Sequence, residues 1–259
     1  MPPLSPSGAA FSPPEPKAGL GYWRLIRICL TAPSSAFLTY PVPEFSTRWF
    51  EELLVNSVWS RAIANSLLIA GATTLLATIL GTLAALGLRS SNLGIKSQIR
   101  TLFLLPMVVP AVVLGVGMQS LFVRLGFNST YLSVILAHTV IAMPFVVISV
   151  SGALTGIDRR IERGAESLGA PPWKVFRLIT LPLAMPGVLS GAALAFATSL
   201  DEVVLTLFVA GPNQRTLARQ MFSTLRENIS PAIASAAFVI IIGTVLIALA
   251  LLLARRERA

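Results

Sequence analysis

AIANSLLIAGATTLLATILGTLAALGL, residues Ala62–Leu88, runs for twenty-seven positions without an Asp, Glu, Lys or Arg. About 20 apolar residues in helical form cross the roughly 30 Å of hydrocarbon in a bilayer. The stretch therefore reads as a transmembrane helix. Three more uncharged runs follow, at Thr101–Val123, Thr130–Ile157 and Ala232–Ala254. A fifth, Leu183–Gly211, has the length but holds Asp201 and Glu202 inside it. Gly and Ala are scattered through these runs, the texture of helices that pack closely in lipid. None alternates apolar and polar residues as a barrel strand does, so backbone satisfaction inside the bilayer leaves helices. The expected fold class is all-α, a polytopic membrane helical bundle with five clear transmembrane helices.

Outward from these runs, a sixth candidate is poor. The sixteen uncharged residues between Arg27 and Glu44 are interrupted by Pro33, Pro41 and Pro43 and diluted by Thr31, Ser34, Ser35 and Thr39. Six prolines fall in the first sixteen positions, with no cleavable signal pattern. Met1–Gly19 is read as disordered, residues 1–27 as an atypical N-terminal segment, and residues 28–259 as the membrane domain. The first span is degenerate or missing.

The whole composition agrees. Of 259 residues, 54% are hydrophobic and only 12% charged, against about 25% charged for an ordinary soluble domain. A net charge of +9 would suit a nucleic-acid binder if it were clustered on a folded surface. Here the basic residues sit between the uncharged runs, and no nucleic-acid partner is expected. Cys29 is the single cysteine, which excludes an intrachain disulfide and a cysteine-based zinc site. His138 is the single histidine, which excludes multi-histidine metal motifs and disfavours a Ser/His/Asp hydrolase. Neither a metal site nor a cofactor is expected. No P-loop occurs, and Lys96 follows Gly94 without a fitting pattern. No nucleophile pairs with a base, so no catalytic residue is assigned and the chain is not an enzyme on its own.

Lys and Arg are enriched on the cytoplasmic side of membrane proteins. The N-terminus, the Arg89–Arg100 loop, the Asp158–Pro182 loop and the C-terminal tail hold fourteen of the twenty; the opposite connections hold six. The Asp158–Pro182 loop and the C-terminus are expected to be cytoplasmic, and membrane lipid is the surrounding partner.

That loop reads DRRIERGAESLGAPPWKVFRLITLP. Ile161–Leu168 is expected to form one short helix, ended by Gly169 as a C-cap. Pro171 and Pro172 cannot continue it and turn the chain back. Trp173, Phe176 and Leu178 suit an interfacial segment leading into the next span. A short, capped helix flanked by charge suits docking on a soluble partner; an ordinary interfacial loop would carry the same features.

Within the spans, ionisable groups are costly and usually face a bundle interior or aqueous cavity. Asp201 and Glu202 are adjacent and so diverge by about 100° on a helix. One is expected to line a translocation path and the other to pair with a neighbouring helix or subunit; a purely structural network is the alternative. His138 is a further candidate for the path, although a lone intramembrane histidine more often makes an interhelical hydrogen bond. Asn65 and Ser66 receive the same structural reading. Pro106, Pro110 and Pro144 are expected to kink their helices.

The spacing Gly169, nine residues, then Ile179-Thr180-Leu181-Pro182 resembles the second half of the EAA loop of ABC importer permeases. Ser199-Leu200-Asp201-Glu202-Val203-Val204, Phe208-Val209-Ala210-Gly211-Pro212, Ala137-His138-Thr139, Met143-Pro144-Phe145-Val146-Val147 and Asn228-Ile229-Ser230-Pro231 are similar to the spermidine/putrescine-type permeases, specifically their C-type subunit. The likeness covers roughly residues 45–255. It implies the type I ABC importer permease fold and a place in the bacterial inner membrane. It also implies half of a pore, paired with a second permease subunit, an ATP-binding cassette ATPase dimer and a periplasmic substrate-binding protein. The cargo implied is a small organic cation of the polyamine kind. Transport would proceed by alternating access, the loop acting as the coupling helix that seats in the ATPase. Glu162, Arg163, Gly164, Ala165, Leu168, Gly169, Ile179, Leu181 and Pro182 are the positions that would dock.

Two departures accompany the likeness. The family's Glu-Ala-Ala falls here on Arg163-Gly164-Ala165, with Glu162 one residue earlier as the stand-in acid. The long apolar first helix of the family has no counterpart, and the likeness begins near Ser34-Ser35-Ala36-Phe37. A truncated or frameshifted start would explain that second departure. Two other classes compete. A gradient-driven secondary transporter would use Asp201, Glu202 and His138 as a proton relay, but it leaves the loop unexplained and predicts an inverted repeat that is not visible. A membrane scaffold would explain the loop and leave the acids unexplained.

Overall fold

A computed structural model describes residues 32–33, 45–46, 48–90, 94–227 and 232–256. The 1–27 segment, most of the weak first span and the Asn228–Pro231 turn lie outside the described residues. Ala32–Pro33 (β1) pairs antiparallel with Phe45–Ser46 (β2); everything longer is helical. The helices are α1 (Arg48–Val55), α2 (Ser57–Ser90), α3 (Lys96–Leu104), α4 (Ala111–Arg124), α5 (Tyr131–Thr155) and α6 (Arg159–Ser167). After these come α7 (Pro172–Val175), α8 (Leu181–Asp201), α9 (Val204–Val209), α10 (Leu217–Glu227) and α11 (Ala232–Arg256).

Among the described residues, three helices are long and apolar enough to cross a membrane alone: Ser57–Arg89, Tyr131–Thr155 and Pro172–Asp201. The expected Thr101–Val123 span is instead a bent pair, Lys96–Met107 with Ala111–Arg124, at 98° to one another. The prolines account for the bend. Pro106 starts a 3-10 turn at Leu105–Met107, and Pro110, extended at ψ 132°, stands immediately before α4. Proline lacks the amide hydrogen that would continue the ladder, while Leu105, before Pro106, keeps helical angles of φ −53° and ψ −40°. Pro144, by contrast, sits within α5 without ending it. The remaining apolar helix, Ala232–Arg256, reaches back over α1, where Phe50 and Phe238 meet edge to face at 5.7 Å.

α5 is the centre of the bundle. Val134, Ala137, Ala142, Val146, Val147 and Val150 on it are all buried. α2 and α8 pack along it through small residues, the usual way for helices to approach in lipid. A Cβ added at Gly191 would stand 2.9 Å from Val146 Cα, and one at Gly187 2.8 Å from the Ser149 carbonyl oxygen. Neither glycine has room for a side chain. Around this core the outward faces are apolar, with Leu67, Leu75, Leu83, Val113, Ile241 and Leu246 exposed. Apolar surface of that extent is stable facing lipid or another subunit and costly facing water.

Candidate functional site

Two junctions on α8 hold nearly every candidate residue. The first leads into it. α6 begins where the Asp158 carboxylate accepts the Arg160 amide hydrogen at 2.8 Å, an N-cap that satisfies one of the helix's unpaired donors. It ends at Gly169, whose φ of +84° is the left-handed conformation that favours glycine. The Gly169 amide donates to the Glu166 carbonyl at 2.9 Å and the Ala170 amide to the Ala165 carbonyl at 3.1 Å. Those two bonds form a Schellman closure. The expected helix is thus present, displaced by one or two residues at its ends. Pro171 and Pro172 then start α7, and Phe176–Thr180 is a π turn leading into α8.

This closure leaves an apolar surface pointing away from the bundle. Leu168 is 90% exposed, Leu178 69%, Trp173 64% and Ile161 50%. Trp173 and Phe176 stack obliquely with ring centres 5.8 Å apart. Arg163 and Gly164 are also exposed, whereas Ala165 and Ile179 are half-buried.

Glu162 does something else. Its Oε1 accepts from Arg89 Nη1 at 2.8 Å and from the Thr180 hydroxyl at 2.6 Å. The carboxylate therefore faces the bundle rather than standing outward as a docking acid. Arg89 also donates to the Ile157 carbonyl at 3.0 Å, and Arg159 donates to the Arg89 carbonyl. One latch joins the ends of α2 and α5, helix α6 and the start of α8. Arg89 and Thr180 were not among the sequence candidates. Arg89 is visible in sequence only as the charge that ends the Ala62–Leu88 run, and Thr180 only as one letter of the Ile-Thr-Leu-Pro motif.

The second junction lies at the far end of α8. Leu183–Gly211 reads as one continuous span, yet the helix stops at Asp201 and restarts at Val204. The break favours one acid and not the other: negative charge is favourable at a helix N-terminus, where Glu202 stands, and unfavourable at a C-terminus, where Asp201 stands. Glu202 takes an extended conformation with ψ 111°, and its carboxylate accepts the Leu205 amide hydrogen at 2.8 Å. Asp201, at the last turn of α8, is exposed. It lines an open groove of about 570 Å³ with Glu202, Ala197, Thr198, Ile241 and Thr244. The two acids therefore have different surroundings, one bonded to the next helix and one facing open space.

His138 is fully buried, at 0% exposure. Nδ1 lies 2.9 Å from the Ser199 hydroxyl and Nε2 2.9 Å from the Thr206 hydroxyl. The Thr206 hydroxyl donates to the Glu202 carbonyl at 3.0 Å. The imidazole spans the break in α8–α9 from inside α5. It is a double interhelical bridge, and both ring nitrogens are occupied.

A third set of bonds ties the same end to α2. Asn65 Nδ2 donates to the carbonyls of Asn213 and Arg215 at 2.8 and 2.9 Å, and its Oδ1 accepts from Tyr131 at 2.8 Å. The Ser66 hydroxyl accepts the Leu217 amide hydrogen at 2.7 Å. Both residues take the structural role expected of them. Arg219 donates to the Ala210 carbonyl at 2.8 Å and closes the C-terminus of α9. Burial, with the like charge of Arg215, lowers its pKa from the usual value.

The architecture is shared with solved transporters. A bacterial ABC transporter for the acidic polysaccharide alginate superposes with a TM-score of 0.68 at 17% identity, over 92% of this chain and 88% of that one. A methionine ABC transporter in an inward-facing conformation gives 0.68 at 20% identity, over 81% and 98%. At such identities the likeness establishes the fold. In sequence, residues 77–259 match the binding-protein-dependent transport system inner membrane component. The chain belongs to that family. It is accordingly a multi-pass inner-membrane permease. Among its relatives, a putrescine transport system permease of Escherichia coli (strain K12) is 39% identical over 78% of this chain and 74% of its own length. A spermidine/putrescine transport system permease of Haemophilus influenzae is 33% identical, over 82% and 83%. A molybdenum transport system permease of Mycobacterium bovis is 34% identical, over 82% and 87%.

Proposed function

We propose that this permease forms half of the translocation pore of a bacterial ABC importer for small organic cations of the polyamine class. A second permease subunit, an ATP-binding cassette ATPase dimer and a periplasmic substrate-binding protein complete the importer. The observation that carries the reading is the α6 loop: a helix capped at both ends, bonded inward through Glu162 and presenting exposed Leu168 and Trp173 outward. A soluble ATPase would seat on that outward surface. Gly164, Ala165, Leu168 and Gly169 form the contact, while Ile179, Leu181 and Pro182 set the path into α8. The latch carries its movement to α2, α5 and α8 together, because Arg89 and Thr180 both hold the one carboxylate.

The end bearing this loop is cytoplasmic. The Arg89–Glu162 bond brings Arg89, with Lys96 and Arg100 beyond it, to the same end of the bundle as residues 158–182, and eight basic residues gather there. That is the positive-inside signature, and the C-terminus shares that side. At the opposite junction Asp201 supplies the negative charge that a cation would meet in the path. Polyamine cargo is supported by relatives named for putrescine and spermidine together with this acid, which has no ion-pair partner among the described residues.

The test is copurification from detergent-solubilised membranes. The tagged chain should bring an ATPase with it, and Gly169→Asp should release that ATPase while the permease stays in the membrane. An L side chain in the left-handed region costs roughly 1–2 kcal/mol, and the substitution adds charge beside Leu168. Unchanged copurification and uptake would overturn the docking assignment. Uptake of labelled putrescine, spermidine and molybdate by vesicles holding the complete importer decides the cargo.

A further inference from the structure

Basic residues, Arg89 and Arg159 of the latch among them, also line a second place at the same end of the bundle. A cavity of about 380 Å³ is lined by Arg89, Lys96, Arg100 and Arg159, with Ser151 and Thr155 beside them. Its other wall is apolar, formed by Ala85, Leu88, Leu154 and Ile157. Arg89 is neutralised by Glu162. No acidic residue lines the cavity, and Lys96 and Arg100 have no ion-pair partner among the described residues. Arg159 donates to a backbone carbonyl and has no ion-pair partner among the described residues.

Position decides what such a cavity meets. Arg89 is the first charge after the uncharged Ala62–Leu88 run, and Ile157 is the last residue of the Thr130–Ile157 run. Both runs leave the hydrocarbon at this level, where the apolar wall gives way to the basic rim. A soluble anion would use only the rim. A glycerophospholipid uses both halves, its phosphate among the cations and its acyl chain along Leu88 and Leu154. Basic pockets between transmembrane helices are a general means of holding anionic lipid headgroups.

We propose that the cavity walled by Arg89, Lys96, Arg100 and Arg159 binds the phosphate of an anionic membrane phospholipid. The site is separate from the outward surface of α6, and it depends on membrane residence alone. Lipid held there would brace the ends of α2 and α5 against α3, beside the latch.

The test uses the full chain with its copurifying subunits in mixed micelles, probed with phosphatidylglycerol and, separately, phosphatidylcholine. Native mass spectrometry and titration of a labelled lipid supply the two readouts. Lys96→Gln with Arg100→Gln should weaken phosphatidylglycerol binding roughly 25-fold, about fivefold for each basic residue near the surface, and leave phosphatidylcholine unchanged. Lys96→Arg with Arg100→Lys should retain it. If the neutral pair does not accumulate, Arg100→Gln alone carries the test at about fivefold. Phosphatidylglycerol affinity within twofold of wild type in the neutral variants overturns the proposal. Displacement of the lipid by millimolar inorganic phosphate would assign the site to a free anion instead. Loss of the ATPase with lipid binding intact would make the rim a protein contact, and either outcome overturns the lipid assignment.

Discussion

The two junctions on α8 solve the same problem with different chemistry. At its start, an ion pair and a hydroxyl hold the α6 loop to the bundle through one carboxylate, with Arg89 and Glu162 side chains 14% and 19% exposed. At its end, a fully buried imidazole and two hydroxyls bridge a helix break without using the carboxylates of Asp201 and Glu202 that lie in it. Water reaches the latch at the first junction but not the imidazole bridge at the second, although Asp201 beside that bridge is exposed. A charge pair is affordable where solvent meets part of it, whereas a dry site favours neutral groups with every donor matched. The first junction can therefore shift and reform, as a part that passes movement to the pore must, while the second is built to stay.

If that contrast is right, the largest stability loss comes from the dry junction. His138→Ala should cost about 3 kcal/mol, because it leaves a cavity and deprives Ser199 and Thr206 of their partner. Thermal unfolding in detergent measures it, with Tm expected to fall clearly below wild type. His138→Gln, which keeps a donor and an acceptor, should recover part of the loss. A His138→Ala variant with wild-type Tm and slowed uptake would place the imidazole in the transport path and break the comparison.

A smaller stability effect and a larger functional one are expected at the wet junction. Glu162→Ala removes the partner of both Arg89 and Thr180 and should cost about 2 kcal/mol. ATP-driven uptake should fall more than abundance, since α6 would remain capped at both ends and tied to the Arg89 carbonyl through Arg159, but would lose its carboxylate bonds to the Arg89 side chain and Thr180. A double-mutant cycle with Arg89→Ala isolates the pair, and the coupling expected is about 1–2 kcal/mol. No coupling would mean that the latch contributes nothing. Glu162→Gln sharpens the point, because it keeps the Thr180 bond and loses only the charge.

The two junctions also differ in how far they can be read from sequence. Gly169, the double proline and the capping Asp158 act within a few residues, so the α6 loop is legible as a string with a motif. The Glu162 partners are legible only in three dimensions, because Arg89 lies 73 positions away and nothing in local spacing points to it. The same holds for His138, whose partners are 61 and 68 positions distant. Periodicity and charge-free length marked the helices of the bundle. Pro106 and Pro110 point to a kink, but length counts a stretch with two prolines as one span and gives no sign that the bend reaches 98°. Length also missed the stop at Asp201 for a related reason: a run of apolar residues on both sides of two acids looks continuous until the carboxylates are assigned something to do.

That last distinction also sets the smallest stability change. Asp201 and Glu202 are neighbours in sequence, yet Glu202 holds the Leu205 amide while Asp201 makes no hydrogen bond or ion pair among the described residues. Asp201→Asn should therefore change stability by less than about 0.5 kcal/mol, as for an exposed group without a partner. Its effect belongs to transport. Uptake of a cationic cargo per molecule of importer should fall about tenfold, equivalent to roughly 1.4 kcal/mol of lost attraction. One charge at about 4 Å in a partly solvated cavity readily supplies that much. Glu202→Gln is the matched control, because an amide oxygen can still accept the Leu205 bond while the charge disappears from the same groove. If Asp201→Asn transports normally and Glu202→Gln does not, the path runs past the capping acid. If Asp201→Asn instead disappears from the membrane while the surviving molecules carry cargo at the normal rate, the exposed acid is holding the structure together. Its apparent freedom would then be filled by the second permease subunit.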